Sequence, residues 1–165
     1  MSSLTLDAQA LYKDLLASIV NIYRPEYQLV GVTSGGVWLA EKLHKDLNIS
    51  SPINVISSSM HRDDFAHRGM MASMQTKINF DVNEAHIILV DDVLYTGRTI
   101  RAVINELYDF GRPASVKLAV MVDRGGRELP VQADICATKV TLASHLNLDL
   151  IQGDDGVFSF NVEER

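Results

Sequence analysis

Residues 87–99 read IILVDDVLYTGRT, and this stretch decides the fold that we predict for the chain. Its first four residues are apolar without alternation, which is typical of a strand buried on both faces of a parallel sheet. Asp91 and Asp92 follow at the carboxyl end of that strand. Residues 96–99 then form a turn before a helical pattern. The turn therefore offers free backbone amides, hydroxyls and the positive end of a helix dipole to an anion.

The acidic pair and the turn together suit a sugar phosphate. Two adjacent carboxylates can accept hydrogen bonds from vicinal sugar hydroxyls, or hold a magnesium ion that bridges them to phosphate. The amides and hydroxyls of the turn suit a terminal phosphate monoester. The alternative is that Asp91 and Asp92 only end a strand and that the turn only begins a helix. The combination of both features after one buried strand favours the functional interpretation.

A second strand, turn and helix precede this stretch. Residues 28–32 read QLVGV, and Thr33, Ser34, Gly35 and Gly36 follow them. Small residues let a backbone approach a ligand closely. Taken alone, the pattern favours a tight turn that needs glycine for its dihedral angles.

Two further segments follow a buried strand or interrupt the pattern. Residues of about 60–80 form a long irregular stretch, which predicts a flexible lid loop, with a solvated charged loop as the alternative. Residues 123–128 leave the strand predicted over residues 116–122. From about residue 135 to 162 apolar and polar residues alternate around a turn at residues 153–156. This alternation predicts small antiparallel strands with one solvated face.

Strand and helix alternation predicts a single α/β domain over residues 1–165, with an open, mainly parallel sheet and helices on both faces. Composition agrees, because 47% hydrophobic and 22% charged residues are ordinary for a globular protein. No apolar run approaches the ~18 residues of a membrane span, so we expect a cytoplasmic protein without a membrane partner. The single cysteine cannot form an internal disulfide.

The motif VDDVLYTGRT, residues 90–99, resembles the phosphoribosyl pyrophosphate (PRPP) binding motif of type I phosphoribosyltransferases. Residues 110–130, FGRPASVKLAVMVDRGGRELP, resemble the pyrimidine operon attenuator and uracil phosphoribosyltransferase family, PyrR. The similarity spans about residues 29–134. It implies Mg²⁺-dependent transfer of ribosyl phosphate from PRPP to uracil, which gives UMP and pyrophosphate. It also implies a homodimer or a higher homo-oligomer.

The resemblance assigns roles to individual residues. Asp91 and Asp92 become catalytic residues and Mg²⁺ ligands, and Arg124 becomes a contact to the base. Arg62, in a segment that resembles the family's Tyr-Arg-Asp-Asp, becomes a catalytic residue at the root of the lid. The residues implied to bind PRPP are Asp91, Asp92, Val93, Leu94, Tyr95, Thr96, Gly97, Arg98 and Thr99. Those implied to bind its pyrophosphate are Ser34, Gly35, Gly36 and Arg62, although family members commonly have Thr-Arg-Gly at residues 34–36.

Many PyrR proteins also sense UMP and bind the leader RNA of the pyrimidine operon. Where RNA-binding members carry a histidine, an arginine and a lysine, this chain has Gly126, Gln132 and Thr138. Each lost cation weakens phosphate contact, and the net charge is −6. The sequence therefore predicts no RNA partner. A UMP-sensing RNA-binding attenuator and a non-catalytic PRPP or UMP sensor remain the alternatives to a transferase.

Overall fold

The computed structural model describes residues 4–58 and 75–165. In chain order, its helices and strands are α1 (Ala8–Ile22), β1 (Tyr27–Val32), α2 (Gly35–Asp46), β2 (Asn54–Ile56), β3 (His86–Leu94), α3 (Arg98–Phe110), β4 (Ser115–Asp123), β5 (Ile135–Lys139), β6 (Leu146–Gln152) and β7 (Phe158–Glu164). None of the helices in these two ranges is both long and apolar enough to cross a bilayer.

The main sheet has the order β2-β1-β3-β4-β5, and all its neighbouring strands are parallel. The strand with the acidic pair, β3, lies at its centre. Its neighbour β1 pairs with it in a register that sets Gly31 opposite Val90. The loops that follow β1 and β3 therefore lie side by side at the carboxyl edge of the sheet. This confirms the predicted open parallel α/β sheet.

The centre of β3 is buried on both faces, as its uninterrupted apolar run predicts. Ile87 and Leu89 pack in a cluster with α3, whereas Ile88 and Val90 pack in a cluster with α1 and α2. All four side chains have no exposed surface. Burial of one such side chain contributes about 1.5–3 kcal/mol. The helices on both faces therefore hold the strand, and with it the acidic pair, in a fixed position.

The region from 135 to 162 contains two kinds of strand. β6 and β7 form the predicted antiparallel hairpin, in which Leu148 lies opposite Val162. β5, however, pairs in parallel with β4 and becomes the fifth strand of the main sheet. Its residues are half-buried at the edge of that sheet, where alternation alone does not reveal the direction of the partner strand. β6 contacts α2 and β3, and the carbonyl of its first residue, Leu146, accepts a hydrogen bond from Arg124 in the loop after β4, so the hairpin lies close to the loops of the carboxyl edge.

Most of the predicted lid, including Arg62, lies outside the described residues. Its last part, residues 75–80, returns to the sheet beside β2. Lys77 and Val55 exchange two backbone hydrogen bonds, of 2.9 and 2.7 Å. Asn54 also accepts a hydrogen bond from the backbone amide of Asn79 at 2.9 Å. The far end of the predicted lid is thus attached to the edge strand.

Candidate active site

The acidic pair lies at the end of β3 and is held by backbone amides. Oδ1 of Asp91 accepts the Asp92 amide at 2.9 Å, and Oδ1 of Asp92 accepts the Val93 amide at 2.8 Å. Burial raises the pKa of the Asp92 carboxyl, and the nearby charge of Asp149 on β6 raises it further, against the lowering effect of hydrogen bonds with the Asp91 side chain and with backbone amides. A carboxylate kept from water in this way is stabilised by hydroxyl donors or by a cation.

The loop after β1 packs directly on the acidic pair. A Cβ built on Gly35 would lie 2.3 Å from Oδ2 of Asp92, and one on Gly36 would lie 2.2 Å from the carbonyl oxygen of Val90. Neither glycine has a positive φ, so the turn does not need them for their dihedral angles. Close approach of two backbones requires them instead. The peptide bond between Thr33 and Ser34 in this loop is cis.

The turn at residues 96–99 begins α3. Gly97 is the N-cap residue with φ of 93°, a left-handed conformation that favours glycine. The amide of Arg98 donates to the hydroxyl of Thr96 at 3.2 Å. A cavity of about 320 Å³ opens beside this turn. The residues that line it are Asp91, Val93, Leu94, Tyr95, Thr96, Gly97, Arg98, Thr99, Ile100 and Arg165.

Arg127 connects the loop after β4 to the loop after β3. Its Nε donates to the carbonyl of Val131 and its Nη1 to the carbonyl of Tyr95, both at 2.7 Å. Its Nη2 contacts Oδ2 of Asp123 at 2.5 Å. The carbonyl of Thr96 also accepts the amides of Glu128 and Leu129 at 2.9 and 3.1 Å. The two loops are therefore one hydrogen-bonded unit.

A second ion pair joins the same two loops near their surface. Nε of Arg98 donates to Oε2 of Glu128 at 2.7 Å, and both side chains are about half exposed. The guanidinium of Arg98 is thus shared with a carboxylate. The backbone amides and hydroxyls of the turn take no part in this ion pair. They are the groups that the loop can present to an anion.

Arg124, the residue that the sequence assigns to the base, is only 3% exposed. Its Nη1 donates to the carbonyl of Leu146 at 2.8 Å and its Nη2 to that of Ala143 at 3.2 Å. Its guanidinium stacks on the ring of Tyr95, with Cζ 3.9 Å from the centroid. Its Nε is buried and has no hydrogen-bond partner in the described part of the chain. Arg124 therefore joins the β6–β7 hairpin to Tyr95.

The structure brings most of the predicted residues together. Asp91 and residues 93–99 line one cavity, and Asp92 lies beside it against Gly35. Three further residues have contacts at the site that sequence reasoning missed. Arg127 lies in the GGRELP segment already singled out, but Asp149 and Arg165 come from the alternating hairpin, where nothing in the pattern indicates a role. They are brought to the site only by tertiary folding.

The donor set fits Mg²⁺ as an ion shared with a substrate. Asp91 and Asp92 supply hard carboxylate oxygens, and in many phosphate sites one or two carboxylates hold Mg²⁺ together with phosphate oxygens and water. Within residues 4–58 and 75–165, no group of three or more His, Cys, Asp or Glu side chains is placed to hold a metal ion. The described residues therefore offer part of a coordination shell rather than a complete cage.

Fold and loops together define a phosphoribosyltransferase domain, and the family model with that description matches residues 6–144. A protein of Ralstonia nicotianae named Bifunctional protein PyrR is 43% identical over 173 residues, which cover 100% of this chain and 99% of that protein. Its namesake in Nitrosococcus oceani is 43% identical over 162 residues, 94% of this chain and 92% of its own length. The chain therefore belongs to the PyrR family of type I phosphoribosyltransferases.

Solved structures agree on the fold. The hypoxanthine phosphoribosyltransferase of Trypanosoma cruzi superposes with a TM-score of 0.64 at 18% sequence identity, over 97% of this chain and 95% of that enzyme. At this identity the likeness concerns the architecture. It confirms the α/β fold that the sequence predicts.

Proposed function

We propose that this protein transfers ribosyl phosphate from PRPP to uracil, which gives UMP and pyrophosphate, in pyrimidine salvage or its regulation. The observation that carries the proposal is the contact between the loop of Gly35 and the carboxylate of Asp92. It sets a candidate pyrophosphate loop, a candidate ribose site and the 96–99 turn at one edge of the sheet. In our proposal, these three features bind the pyrophosphate, the ribose and the 5-phosphate of PRPP, in the order in which the molecule joins them.

In this proposal, each loop has one task. Residues 96–99 bind the 5-phosphate through amides and hydroxyls at the start of α3. Asp91 and Asp92 accept hydrogen bonds from the ribose hydroxyls and stabilise positive charge that develops at the anomeric carbon. Backbone amides of Ser34, Gly35 and Gly36 donate hydrogen bonds to the pyrophosphate as it leaves. Arg62 also binds the pyrophosphate in this proposal, and its role stays a prediction. Most of the rate enhancement comes from positioning and electrostatics.

Mg²⁺, when bound by Asp91, Asp92 and the substrate, neutralises charge on the pyrophosphate and so makes it a better leaving group. The protein's own contribution is to keep both carboxylates in place. Backbone amides hold one oxygen of each carboxylate, which fixes the orientation of the pair toward a substrate. The predicted homodimer or higher oligomer also stays part of the proposal.

The experiment that tests the proposal is formation of UMP from uracil and PRPP with Mg²⁺. Asp92→Asn is the matched control, because it keeps the shape of the side chain and removes its charge. We expect turnover in the wild type and a loss of two or more orders of magnitude in the variant, with an unchanged circular dichroism spectrum. Equal turnover in both proteins would remove the proposed role of the acidic pair.

RNA binding is the second candidate function, because the relatives carry the name Bifunctional protein PyrR. The sequence predicts no RNA partner, and one of the three residues on which this prediction rests has a tight environment. Gly126 has φ of 74°, and a Cβ there would lie 2.4 Å from the Tyr95 ring, so a larger cationic side chain does not fit while Tyr95 keeps its position. Sub-micromolar binding of a pyrimidine leader RNA in a gel-shift assay would contradict this prediction.

A further inference from the structure

Two guanidinium groups lie over the ring of Tyr95. Cζ of Arg124 is 3.9 Å from the ring centroid and Cζ of Arg165 is 5.0 Å from it. The two arginines come from separate parts of the chain, the loop after β4 and the end of the β6–β7 hairpin. The ring between the candidate ribose site and the 96–99 turn is therefore held by cations from two elements.

The two arginines differ in what their nitrogens contact. Both terminal nitrogens of Arg124 donate to backbone carbonyls of the hairpin region. Arg165 is oriented differently, because its Nε donates to Oδ1 of Asn147 at 2.6 Å and its backbone amide donates to the carbonyl of His145 at 2.9 Å. Across residues 4–58 and 75–165, no hydrogen bond satisfies its terminal nitrogens, and Arg165 is one of the residues that line the cavity.

The charges of Arg124 and Arg165 indicate what kind of ligand would bind beside them. Burial lowers the pKa of Arg124, and the charge of Arg165 lowers it further, while Tyr95 and Asp149 act in the opposite direction. Two cations beside one ring repel each other, and an electronegative ligand between or beside them relieves that repulsion. The acidic pair and the 96–99 turn suit the ribose and phosphate of a nucleotide. The part that remains for the arginines is the base.

We infer that Arg165 is a specificity-determining residue that donates a hydrogen bond to a carbonyl oxygen of the nucleobase, with Tyr95 and Asn147 fixing its guanidinium. This inference rests on the proposed function and adds the residue that selects the base. A guanidinium donates to a carbonyl oxygen, whereas an exocyclic amino group would face it with a second donor. The site thus favours a base with two carbonyl groups over one that carries an amino group.

The test compares Arg165→Met with Arg112→Met, which removes an exposed arginine beyond α3 at the opposite edge of the sheet. Loss of a hydrogen bond from a charged donor predicts a KM for uracil raised roughly ten-fold in Arg165→Met. The KM for PRPP stays within about two-fold, since the phosphate and ribose contacts are intact. Arg112→Met leaves both constants unchanged.

Calorimetric titration with UMP and CMP gives a second readout that a merely structural role would not move. The wild type prefers UMP, Arg165→Met loses that preference, and Arg165→Lys, which keeps a cationic donor, recovers part of it. An active wild type with the same KM for uracil and the same preference in Arg165→Met would overturn the inference and leave the proposed function intact. If the wild type turns over no base and binds neither nucleotide, the proposed function fails and this inference fails with it.

Discussion

The α-carbon of Gly35 lies against the carboxylate of Asp92. A Cβ built there would approach Oδ2 to 2.3 Å and Cγ to 2.7 Å, distances that side-chain atoms do not tolerate. The two residues are far apart in the sequence and leave neighbouring strands of the sheet. The contact therefore depends on the pairing of β1 with β3, and it joins two candidate substrate loops through the Asp92 carboxylate, because residue 35 has no side chain of its own.

Gly35→Ala should remove most of the activity. The added methyl group displaces the Asp92 carboxylate or the loop, and overpacking at a tight site costs about 1–3 kcal/mol of folding free energy. We expect turnover to fall at least ten-fold and the midpoint of urea unfolding to decrease. Steady-state kinetics and urea denaturation measure the two effects.

A double-mutant cycle separates this clash from a general effect on the loop. In an Asp92→Ala background the atoms nearest the new methyl group are absent. Gly35→Ala should therefore lower the free energy of unfolding by at least ~0.5 kcal/mol less than it does in the wild type. Equal costs in both backgrounds would show that the glycine is needed for another reason.

The ion pair between Asp123 and Arg127 should make stability depend on pH. Burial alone would raise the pKa of Asp123, but hydrogen bonds from Arg127 and the Gly125 amide, with the Arg127 charge, outweigh it and hold the pKa below its ordinary value. A carboxyl with a lowered folded-state pKa stabilises the folded state at a pH above its unfolded-state pKa. This stabilisation is lost as the pH falls through the folded-state pKa. Asp123→Asn should therefore cost about 1–3 kcal/mol at pH 7.

That cost should shrink as the pH falls below about 4, where the carboxyl becomes protonated in the unfolded wild type while it is still ionised in the folded state. Urea denaturation of both proteins between pH 7 and pH 3 measures the difference. A difference that stays constant over this range would contradict the assignment of the pH dependence to Asp123.

Arg127 is a positioning residue, since it holds the carbonyl of Tyr95 rather than any candidate substrate atom. Arg127→Lys keeps the charge beside Asp123 but loses the planar group that reaches three acceptors. We expect the KM for PRPP to rise by about five- to ten-fold, because residues 95–97 lose one of their supports. Lys139→Arg, a swap in the opposite direction at an exposed position, is the control and should leave the KM unchanged. A drop in stability without a change in KM would mean that Arg127 acts on the fold alone.

Glu128→Gln should strengthen PRPP binding. The carboxylate of Glu128 pairs with the guanidinium of Arg98, and both side chains are about half exposed, so it would compete with a phosphate bound according to our proposal. Loss of the ion pair costs less than ~1 kcal/mol of stability at such an exposed site. We expect a lower KM for PRPP at low salt, with the gap to the wild type closing at high salt. An increase in KM would instead show that Glu128 holds Arg98 in its binding position.

Local patterns were sufficient for the centre of the fold. Residues 87–90 are apolar without alternation, and such a run before a polar turn is typical of a strand inside a parallel sheet, so β3 and the position of Asp91 could be predicted. The β6–β7 hairpin followed from alternation around residues 153–156. In each case the signal lies within a few consecutive residues, and its physical cause is local.

The remainder depended on contacts between distant residues. The parallel pairing of β5 is set by β4, and the alternation within residues 135–139 does not encode it. Arg124 is buried under the hairpin and Arg165 approaches Tyr95 because three elements meet there. No residue spacing in the sequence predicts either contact. The need for glycine at residue 35 is likewise explained by Asp92 and by no feature of its own turn.

The close packing of Gly31 on α2 and of Gly36 on β3 also limits how this chain can be varied. A Cβ on Gly31 would lie 2.8 Å from the carbonyl of Gly36, and a Cβ on Gly36 would meet the carbonyl of Val90, so main chain approaches main chain at both glycines. Mutation has no side chain to vary there. The β6–β7 hairpin and the loop after β4 carry side chains that can be exchanged without moving this backbone, which makes these segments the targets for directed evolution of base selectivity.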